Sequence, residues 1–209
     1  MRTFRVERMV LGMIRTNCYL LIREDTGETL IVDPADRADR IEAKLTEEHL
    51  TPCGVLLTHG HFDHIGAAEE LRKRYGIRIY LPEKEEALAR DSFANLSGQW
   101  ASPFGIKADV LLKDGETLEL AGFSIEVKAT PGHTGGSACY YLPDEKILFS
   151  GDTLFAGSVG RSDFPTGSAG ALARSVKGLL SSLPEEVHVY PGHEGDTSIA
   201  YEKRYNPYA

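Results

Sequence analysis

The chain has 209 residues, of which 42% are hydrophobic and 26% are charged, and its formal net charge at pH 7 is −8. This size and composition predict a globular protein with a large core, organised as one domain over residues 1–209. The acidic balance and the lack of any cluster of Lys or Arg disfavour non-specific binding to nucleic acid.

Targeting signals are absent from the sequence. No apolar run approaches the roughly 18 residues that a membrane-spanning helix needs, so no membrane partner is expected. Residues 1–11 mix charged and isolated apolar residues without the apolar run of a secretory signal, which favours a cytoplasmic location. Cys18, Cys53 and Cys139 lie in or beside apolar runs, and they are predicted to be buried free thiols of a reducing compartment.

Short apolar strands alternate with helices along the chain. Strands are predicted over residues 18–22, 29–32, 54–57, 77–81, 118–120, 124–129, 138–142, 146–149 and 187–190. Helices are predicted over residues 41–50, 65–74, 82–90, 172–183 and 197–204. Some neighbouring strands are close enough for hairpins and others are separated by helices. This pattern predicts mixed sheets covered by helices.

Three of the seven histidines fall in one window, His59-Gly60-His61-Phe62-Asp63-His64, directly after a predicted buried strand. His59 and His61 are two residues apart, so their side chains are expected to leave the strand end on the same side. Asp63 and His64 are placed at the start of the next helix, where Asp63 is also a good cap. Imidazole and carboxylate at this density are what Zn²⁺ prefers. The alternative is a capped turn with surface imidazoles.

The tripeptide Pro-Gly-His follows two separate predicted strands and places His133 and His193 just beyond their ends. A Pro-Gly turn bends the chain sharply and can aim the next side chain back over the strand end. Asp152 has a similar position after the strand over residues 146–149. These side chains are expected at one edge of a sheet, where active sites collect, although each tripeptide alone also fits a structural turn.

The ordered set His59-x-His61-x-Asp63-His64, His133, Asp152 and His193 resembles the metallo-β-lactamase superfamily over nearly the whole chain. The resemblance implies an α/β fold, a four-layer αβ/βα sandwich of two mixed β-sheets flanked by helices, with the site at the edge where the sheets meet. It implies two metal ions, one held by His59, His61 and His133 and the other by Asp63, His64 and His193, with Asp152 bridging both. Zn²⁺ is the expected ion, and iron and manganese are the alternatives.

Within the superfamily, Gly151-Asp152-Thr153-Leu154-Phe155 and Pro191-Gly192-His193-Glu194 look like the glyoxalase II branch, and residues 157–165 look like its short bacterial subgroup. The resemblance implies hydrolysis of glutathione thioesters such as S-lactoylglutathione by a metal-bridging hydroxide, with Asp63 and Asp152 as catalytic residues. Asp152 in place of a cysteine argues against an antibiotic-degrading β-lactamase. The chain departs from full-length glyoxalase II in stopping soon after His193 and in carrying Gly195 where a tyrosine is usual.

The charge of the implied site bears on the substrate. Two divalent ions, a hydroxide and the seven ligands leave a net charge of about +1, which favours an anionic small molecule. A thiolate leaving group, whose pKa is roughly 8.5, needs little protonation. Arg161 is the one cation of residues 156–170, a Gly- and Ser-rich stretch predicted to be a loop. By resemblance to glyoxalase II, Arg161 contacts a substrate carboxylate; the alternative is a local pair with Asp163.

Other functions stay open at this point. Gly160-Arg161-Ser162-Asp163-Phe164 also resembles the persulfide dioxygenases, which share the fold and would use one iron held by His59, His133 and Asp152. A hydrolase of another ester, a lactone or a phosphodiester is a second alternative, and a non-catalytic metal-binding module is a third. The oligomeric state is also left open.

Overall fold

The computed structural model describes residues 3–209; Met1 and Arg2, which begin the stretch expected to lack a secretory signal, lie outside the described residues. Two six-stranded sheets pack face to face, and helices cover the outer face of each sheet. This is the four-layer αβ/βα sandwich predicted from the sequence.

The first sheet contains six strands in chain order. They are β1 (Phe4–Leu11), β2 (Thr16–Arg23), β3 (Glu28–Val32), β4 (Thr51–Leu56), β5 (Arg78–Pro82) and β6 (Val110–Leu112). The pairs from β1 to β3 are antiparallel and those from β3 to β6 are parallel, so the sheet is mixed. β2 is buried along its whole length because alternate side chains face opposite layers. Leu20 faces the helices, and Leu21 faces the second sheet.

The second half of the chain supplies the second sheet and a two-stranded ribbon. Its strands are β7 (Thr117–Leu120), β8 (Phe123–Ala129), β9 (Ala138–Leu142), β10 (Ile147–Gly151), β11 (Leu154–Phe155), β12 (Ser158–Val159), β13 (His188–Pro191) and β14 (Thr197–Ser198). The sheet order is β14-β13-β10-β9-β8-β7, and β11 pairs with β12 in the ribbon. β10 and β13 are parallel and the other neighbours are antiparallel, so this sheet is mixed as well.

Amphipathic helices form the two outer layers. The helices are α1 (Ala38–Glu47), α2 (Phe62–Ile65), α3 (Ala68–Tyr75), α4 (Glu86–Arg90), α5 (Ser97–Trp100), α6 (Ala169–Ser182) and α7 (Ile199–Tyr205), and a 3₁₀ turn at Glu83–Glu85 precedes α4. Ile41 of α1 and Leu71 of α3 pack on the first sheet, and Val176 of α6 packs on the second. Across residues 3–209, no helix combines the length and the apolarity that a bilayer crossing requires.

Most predicted elements are present, with shifted ends. The helix predicted over residues 65–74 is instead two helices, because the Ala67 N–H donates to the Pro34 carbonyl (2.8 Å) and interrupts the helical pattern. β1 and β6 were not predicted; both are edge strands, and in each only the last residue, Leu11 or Leu112, is buried. The predicted loop over residues 156–170 contains β12 and the start of α6. All three cysteines are free; Cys53 is half-buried rather than buried.

Candidate metal centre

The seven candidate ligands lie at one edge of the sandwich, beyond the carboxyl ends of four strands. β4 ends at Leu56 and leads into the segment 59–64, while β8, β10 and β13 lead into His133, Asp152 and His193. The first segment belongs to the first sheet and the other three residues belong to the second sheet. The cluster therefore lies where the edges of the two sheets meet.

Three histidines form a first group, the three-histidine group, made of His59, His61 and His133. One ring nitrogen of each lies within 4.8 Å of the others. Nδ1 of His61 is 2.9 Å from Nε2 of His133, and the His59 ring centroid is 4.8 Å from each of their centroids. Nδ1 of His133 donates to the Arg161 carbonyl oxygen (2.7 Å), because that oxygen can only accept. This bond fixes the tautomer of His133 and leaves its Nε2 lone pair directed at the group.

Asp63, His64 and His193 form a second group, the aspartate–histidine group, whose ligand atoms also lie within 4.8 Å of one another. Oδ2 of Asp63 is 3.7 Å from Nε2 of His64 and 3.5 Å from Nε2 of His193. The same oxygen accepts a hydrogen bond from the Thr16 hydroxyl (2.9 Å). Asp63 is not the helix cap that the sequence suggested: it lies in the first turn of α2, whose N-cap is His61.

Asp152 lies between the two groups. Its Oδ2 is 3.5 Å from Nε2 of His133 and 3.4 Å from Nε2 of His193, and its Oδ1 is 3.4 Å from Nε2 of His64. One carboxylate thus contacts histidines of both groups. The structure brings all seven residues into a single cluster; besides the two groups, the ligand atoms of His59, His64 and Asp152 also lie within 4.8 Å of one another.

Unsatisfied polar atoms in the cluster point to a cation. Nε2 of His59, Nε2 of His64 and Oδ1 of Asp152 are buried and lack hydrogen-bond partners. A buried polar atom without a partner costs about 1–3 kcal/mol, so several of them converging on one point need a common partner. Imidazole nitrogens and carboxylate oxygens are the donors that Zn²⁺ and other first-row divalent ions prefer. The residues present therefore fit a metal centre.

Burial and charge act in opposite directions on the histidines. Burial, together with the neighbouring imidazoles, lowers the pKa of His61 to about 3 and lowers the pKa of His59 well below its usual value. Burial alone would do the same to His193, but Asp152 and Asp63 raise its pKa to about 9. In His64 the effect of burial is likewise outweighed, and Asp152, Asp63 and Asp33 raise its pKa well above the usual value.

The two aspartates respond to the same imidazoles. Burial would raise the pKa of Asp152, but the charges on His64 and His193 hold that pKa well below its ordinary range. The pKa of Asp63 is lowered in the same way, because His64 and His193 outweigh the effect of burial. Both carboxylates are therefore ionised at neutral pH, which is the form that binds metal.

Asp33 supports the cluster and was not predicted from the sequence. It follows β3 and is buried. Its Oδ1 accepts from the Thr58 N–H (2.8 Å), and its Oδ2 accepts from the Thr58 hydroxyl (2.7 Å) and from Nδ1 of His64 (2.9 Å). The Thr58 hydroxyl is also 3.1 Å from Nδ1 of His59. Asp33 thus orients His64 directly and His59 through Thr58, as outer-shell partners of metal ligands do. The available signal was an acidic residue directly after a buried strand.

Glu85 is a second supporting residue that sequence reasoning missed. Its buried carboxylate accepts from the Gly60 N–H (2.9 Å) and the Gly136 N–H (2.8 Å). Burial raises its pKa, which these hydrogen bonds partly oppose. Glu85 ties the loop of His59 and His61 to the loop that follows His133. Its position in a polar predicted helix gave no sign of burial.

Glycine in the second Pro-Gly-His tripeptide allows a close approach of backbone to side chains. A Cβ atom on Gly192 would lie 2.3 Å from Oδ1 of Asp152 and 2.7 Å from Cε1 of His64. Strand β2 of the other sheet holds this loop from behind. The Asn17 side chain (2.9 Å) and the Tyr19 hydroxyl (2.7 Å) both donate to the Pro191 carbonyl.

A cavity of about 380 Å³ opens over the cluster. Its floor contains candidate ligands from both groups, namely His61, Asp63, His133, Asp152 and His193. Its walls are largely apolar and contain Ile14, Phe62, Leu96, Trp100, Phe155 and Phe164. The cluster is therefore accessible to a small molecule from one side.

Arg161 also lines this cavity, with its guanidinium 3.9 Å from the ring centroid of Phe164. Its Nε and Nη2 donate to the two carboxylate oxygens of Asp163 (2.7 and 2.6 Å), which raises the pKa of Arg161 and lowers that of Asp163 to about 2. The local pair that the sequence offered as an alternative is thus present. Nη1 lies outside that pair, and contact between Arg161 and a substrate stays a prediction.

Comparison with known sequences identifies the family. The family model of the metallo-β-lactamase superfamily matches residues 11–193. The chain is 38% identical over 206 residues to the probable metallo-hydrolase YqgX of Bacillus subtilis, covering 96% of this chain and 95% of that protein. It is 34% identical over 209 residues to the hydroxyacylglutathione hydrolase GloC of Haemophilus influenzae, covering 97% of each.

Comparison with solved structures agrees. BLEG-1 B3 metallo-β-lactamase superposes with a TM-score of 0.93 at 39% identity, covering 98% of this chain and 99% of that one. TTHA1623 in a di-iron-bound form gives 0.87 at 35% identity, with 97% and 100% covered. ETHE1 from Myxococcus xanthus gives 0.79 at 33% identity, with 98% and 83% covered. The chain therefore belongs to the metallo-β-lactamase superfamily, whose fold it has and whose histidine and aspartate motif it carries.

Proposed function

We propose that this protein is a two-metal hydrolase of thioesters, with S-lactoylglutathione-type glutathione conjugates as its substrates. The observation that carries the proposal is the position of Asp152, which contacts histidines of both groups. Seven ligands are too many for one tetrahedral ion. The 34% identity to a hydroxyacylglutathione hydrolase supports glutathione thioesters as the substrate class.

Each group would hold one ion. The first would be bound by Nε2 of His59, Nδ1 of His61 and Nε2 of His133, and the second by Asp63, His64 and His193. Asp152 would contact both ions. Zn²⁺ suits these donors, and the di-iron form of a relative at 35% identity supports iron as an alternative.

The chemistry of the site follows from what its residues can do. Two divalent ions bound there would supply a hydroxide at neutral pH, since metal binding lowers the pKa of water from about 15.7 to about 7. Asp63 and Asp152 line the cavity floor as carboxylates, so they would orient this nucleophile by accepting hydrogen bonds from it. The thiolate that leaves has a pKa of roughly 8.5, so the chain needs no further acid to protonate it.

Arg161 is proposed to contact a carboxylate of the substrate. It is the arginine that lines the cavity, and its Nη1 is directed outside the pair with Asp163. Its backbone carbonyl holds His133, so the guanidinium is attached to the rim of the three-histidine group. A glutathione carboxylate bound to the Arg161 guanidinium would place the thioester over the candidate metal ligands that line the cavity.

A one-iron dioxygenase is the second candidate. His59, His133 and Asp152 are all in the cluster, and Nε2 of His133 is 3.5 Å from Asp152, so three ligands for one iron are available. That function would not use Asp63 and His193 as metal ligands, although both belong to the aspartate–histidine group and lie within 3.5 Å of each other. The two-metal hydrolase accounts for both.

Metal content and turnover measured together test the proposal. After reconstitution with excess metal, mass spectrometry should find two ions per chain, and S-lactoylglutathione should be cleaved as fast under nitrogen as in air. A chelated sample is the control and should be inactive. Oxygen uptake with glutathione persulfide, without anaerobic cleavage, would establish the dioxygenase instead. A single equivalent of metal would overturn the two-metal assignment.

A further inference from the structure

The cavity over the cluster has two chemically unlike ends. At one end are Arg161 and Phe164, tied to the three-histidine group by the bond from His133 to the Arg161 carbonyl. At the other end is Ile14, in the turn that precedes Thr16, whose hydroxyl binds Asp63. The two ends therefore lie over different ligand groups, and a bound thioester can extend from its carbonyl carbon in both directions.

The second end, here called the apolar end, is built from Ile14, Leu96 and Trp100. The Phe62 N–H donates to the Asn95 carbonyl (2.9 Å), which holds the loop of Leu96 and Trp100 against the start of α2. Trp100 is 53% exposed, whereas tryptophan side chains are highly buried on average. An apolar partner would remove this surface from water.

A neighbouring cavity of about 230 Å³ continues the apolar end. It shares Ile14, Phe62 and Asp63 with the first cavity and adds Met13 and Phe104. Met13 is 71% exposed. Of the described residues that line the two cavities, Arg161 supplies the positive side chain, and it lies at the opposite end. Asp36, which lines the neighbouring cavity, makes the apolar end unfavourable for an anion.

We propose that the apolar end binds the acyl group of the substrate, and that this acyl group is an unbranched aliphatic or aryl group of roughly four carbons or more. The inference rests on the proposed thioesterase function and specifies its substrate. Arg161 would then take the carboxylate on the thiol side, with the carbonyl carbon over the floor. Each methylene buried against this surface strengthens binding by up to about fourfold. A three-carbon lactoyl group with its hydroxyl would fill the apolar end only in part, so S-lactoylglutathione is expected to be cleaved more slowly than conjugates with longer acyl groups.

A series of S-acylglutathiones tests the inference on the metal-loaded enzyme. From S-acetyl to S-butyryl to S-hexanoyl, kcat/KM should rise by at least about tenfold in total. Trp100→Ala should lower the hexanoyl-to-acetyl ratio by at least about threefold. Phe93→Ala is the matched control, because Phe93 is an exposed aromatic residue (67%) four residues before α5 that does not line either cavity. A flat series, or equal effects of the two variants, would overturn the inference.

Binding can be measured without hydrolysis, which separates this inference from the proposed function. Trp100 is the only tryptophan of the chain, so its fluorescence reports on the apolar end directly. The thioether S-hexylglutathione should shift the Trp100 emission to the blue and bind at least about tenfold more tightly than S-methylglutathione. Equal affinities would overturn the apolar acyl site even if thioesters are cleaved. Tighter binding of S-hexylglutathione than of S-methylglutathione, without any thioester cleavage, would overturn the thioesterase function but support the apolar acyl site.

Discussion

The two groups of candidate ligands contain similar side chains in contrasting electrostatic surroundings. In the three-histidine group, burial lowers the pKa of His61 to about 3, so the ring is neutral across the physiological range. In the aspartate–histidine group, Asp152 and Asp63 outweigh burial and raise the pKa of His193 to about 9. Whether a buried histidine is protonated is therefore decided by the nearest carboxylate and not by depth alone.

This difference gives the two groups different requirements for binding a cation. His59 and His61, whose pKa values are lowered, already have lone pairs available. His193 carries a proton in the metal-free protein, because its pKa is raised to about 9, and the pKa of His64 is raised in the same direction. A metal ion entering the aspartate–histidine group must displace the proton of His193, so we expect its affinity to rise more steeply with pH.

The largest effect is expected from removing the residue that contacts both groups. Asp152→Ala should lower turnover by at least about a hundredfold, because the orientation of the reacting groups is lost, and should reduce the metal content of both groups. Metal analysis and S-lactoylglutathione turnover measure this. Asp144→Ala, which removes an exposed carboxylate in the turn before β10, is the control. A variant with full metal content and near-normal turnover would show that Asp152 only shapes the turn.

A smaller effect, unequal between the two groups, is expected from the supporting residues. Asp33→Asn weakens the direct contact to Nδ1 of His64, so the affinity of the aspartate–histidine group should fall by about 10–100-fold, and that of the three-histidine group, which Asp33 reaches only through Thr58, should fall by less. Thr58→Val removes the hydroxyl beside Nδ1 of His59 and should weaken mainly the three-histidine group. Competition with a chelator resolves the two affinities. Equal losses at both groups in each variant would contradict the separate support of the two groups.

The smallest effect concerns the stability of the metal-free protein. Its free energy of unfolding should be greatest near pH 6.5 and fall on both sides. Below pH 6.5, the unfolded chain binds a proton at His61 that the folded chain, with a pKa of about 3, does not. Above pH 6.5, folded His193 keeps a proton until about pH 9, so the stability that this proton contributes is lost as the pH rises through that value.

Denaturant titrations of the chelated protein between pH 4 and pH 9.5 measure this pH dependence of the free energy of unfolding. His193→Asn should make the alkaline side shallower, with His64 keeping part of its slope, and should leave the acid side largely in place. His61→Asn should make the acid side shallower, with His59 keeping part of its slope. Alkaline sides of equal slope in the wild type and in His193→Asn would show that Asp63 and Asp152 do not hold a proton on His193.

The local parts of the site could be predicted from the sequence, and the long-range parts could not. His59, His61, Asp63 and His64 are close in the chain, so one strand-to-helix junction brings them together whatever the rest of the fold. Asp33 enters the cluster only because β3 pairs in parallel with β4. The sequence pattern of one strand does not indicate which other strand it pairs with.

Edge strands and buried acids were missed for related reasons. All but the last of the β1 side chains are partly buried or exposed, because β1 has a neighbouring strand on only one side. Its apolar sequence pattern is therefore weak. Glu85 is buried because two backbone N–H groups from distant loops donate to its carboxylate. A glutamate in a polar segment of the sequence is instead expected to be exposed. For Arg161, the sequence suggested either a contact with a substrate carboxylate or an ion pair with Asp163. The ion pair is formed, and the substrate contact stays a prediction.

The loop of His193 is held by strand β2, which lies near the other end of the chain. The Asn17 N–H donates to the Gly192 carbonyl (2.7 Å), and the Tyr19 hydroxyl donates to Pro191, so residues more than 170 positions apart must meet before this ligand is in place. Contacts of such sequence separation cost loop-closure entropy, and folds rich in them fold slowly. Time-resolved metal uptake during refolding would therefore report when the amino-terminal hairpin joins the carboxyl-terminal strands.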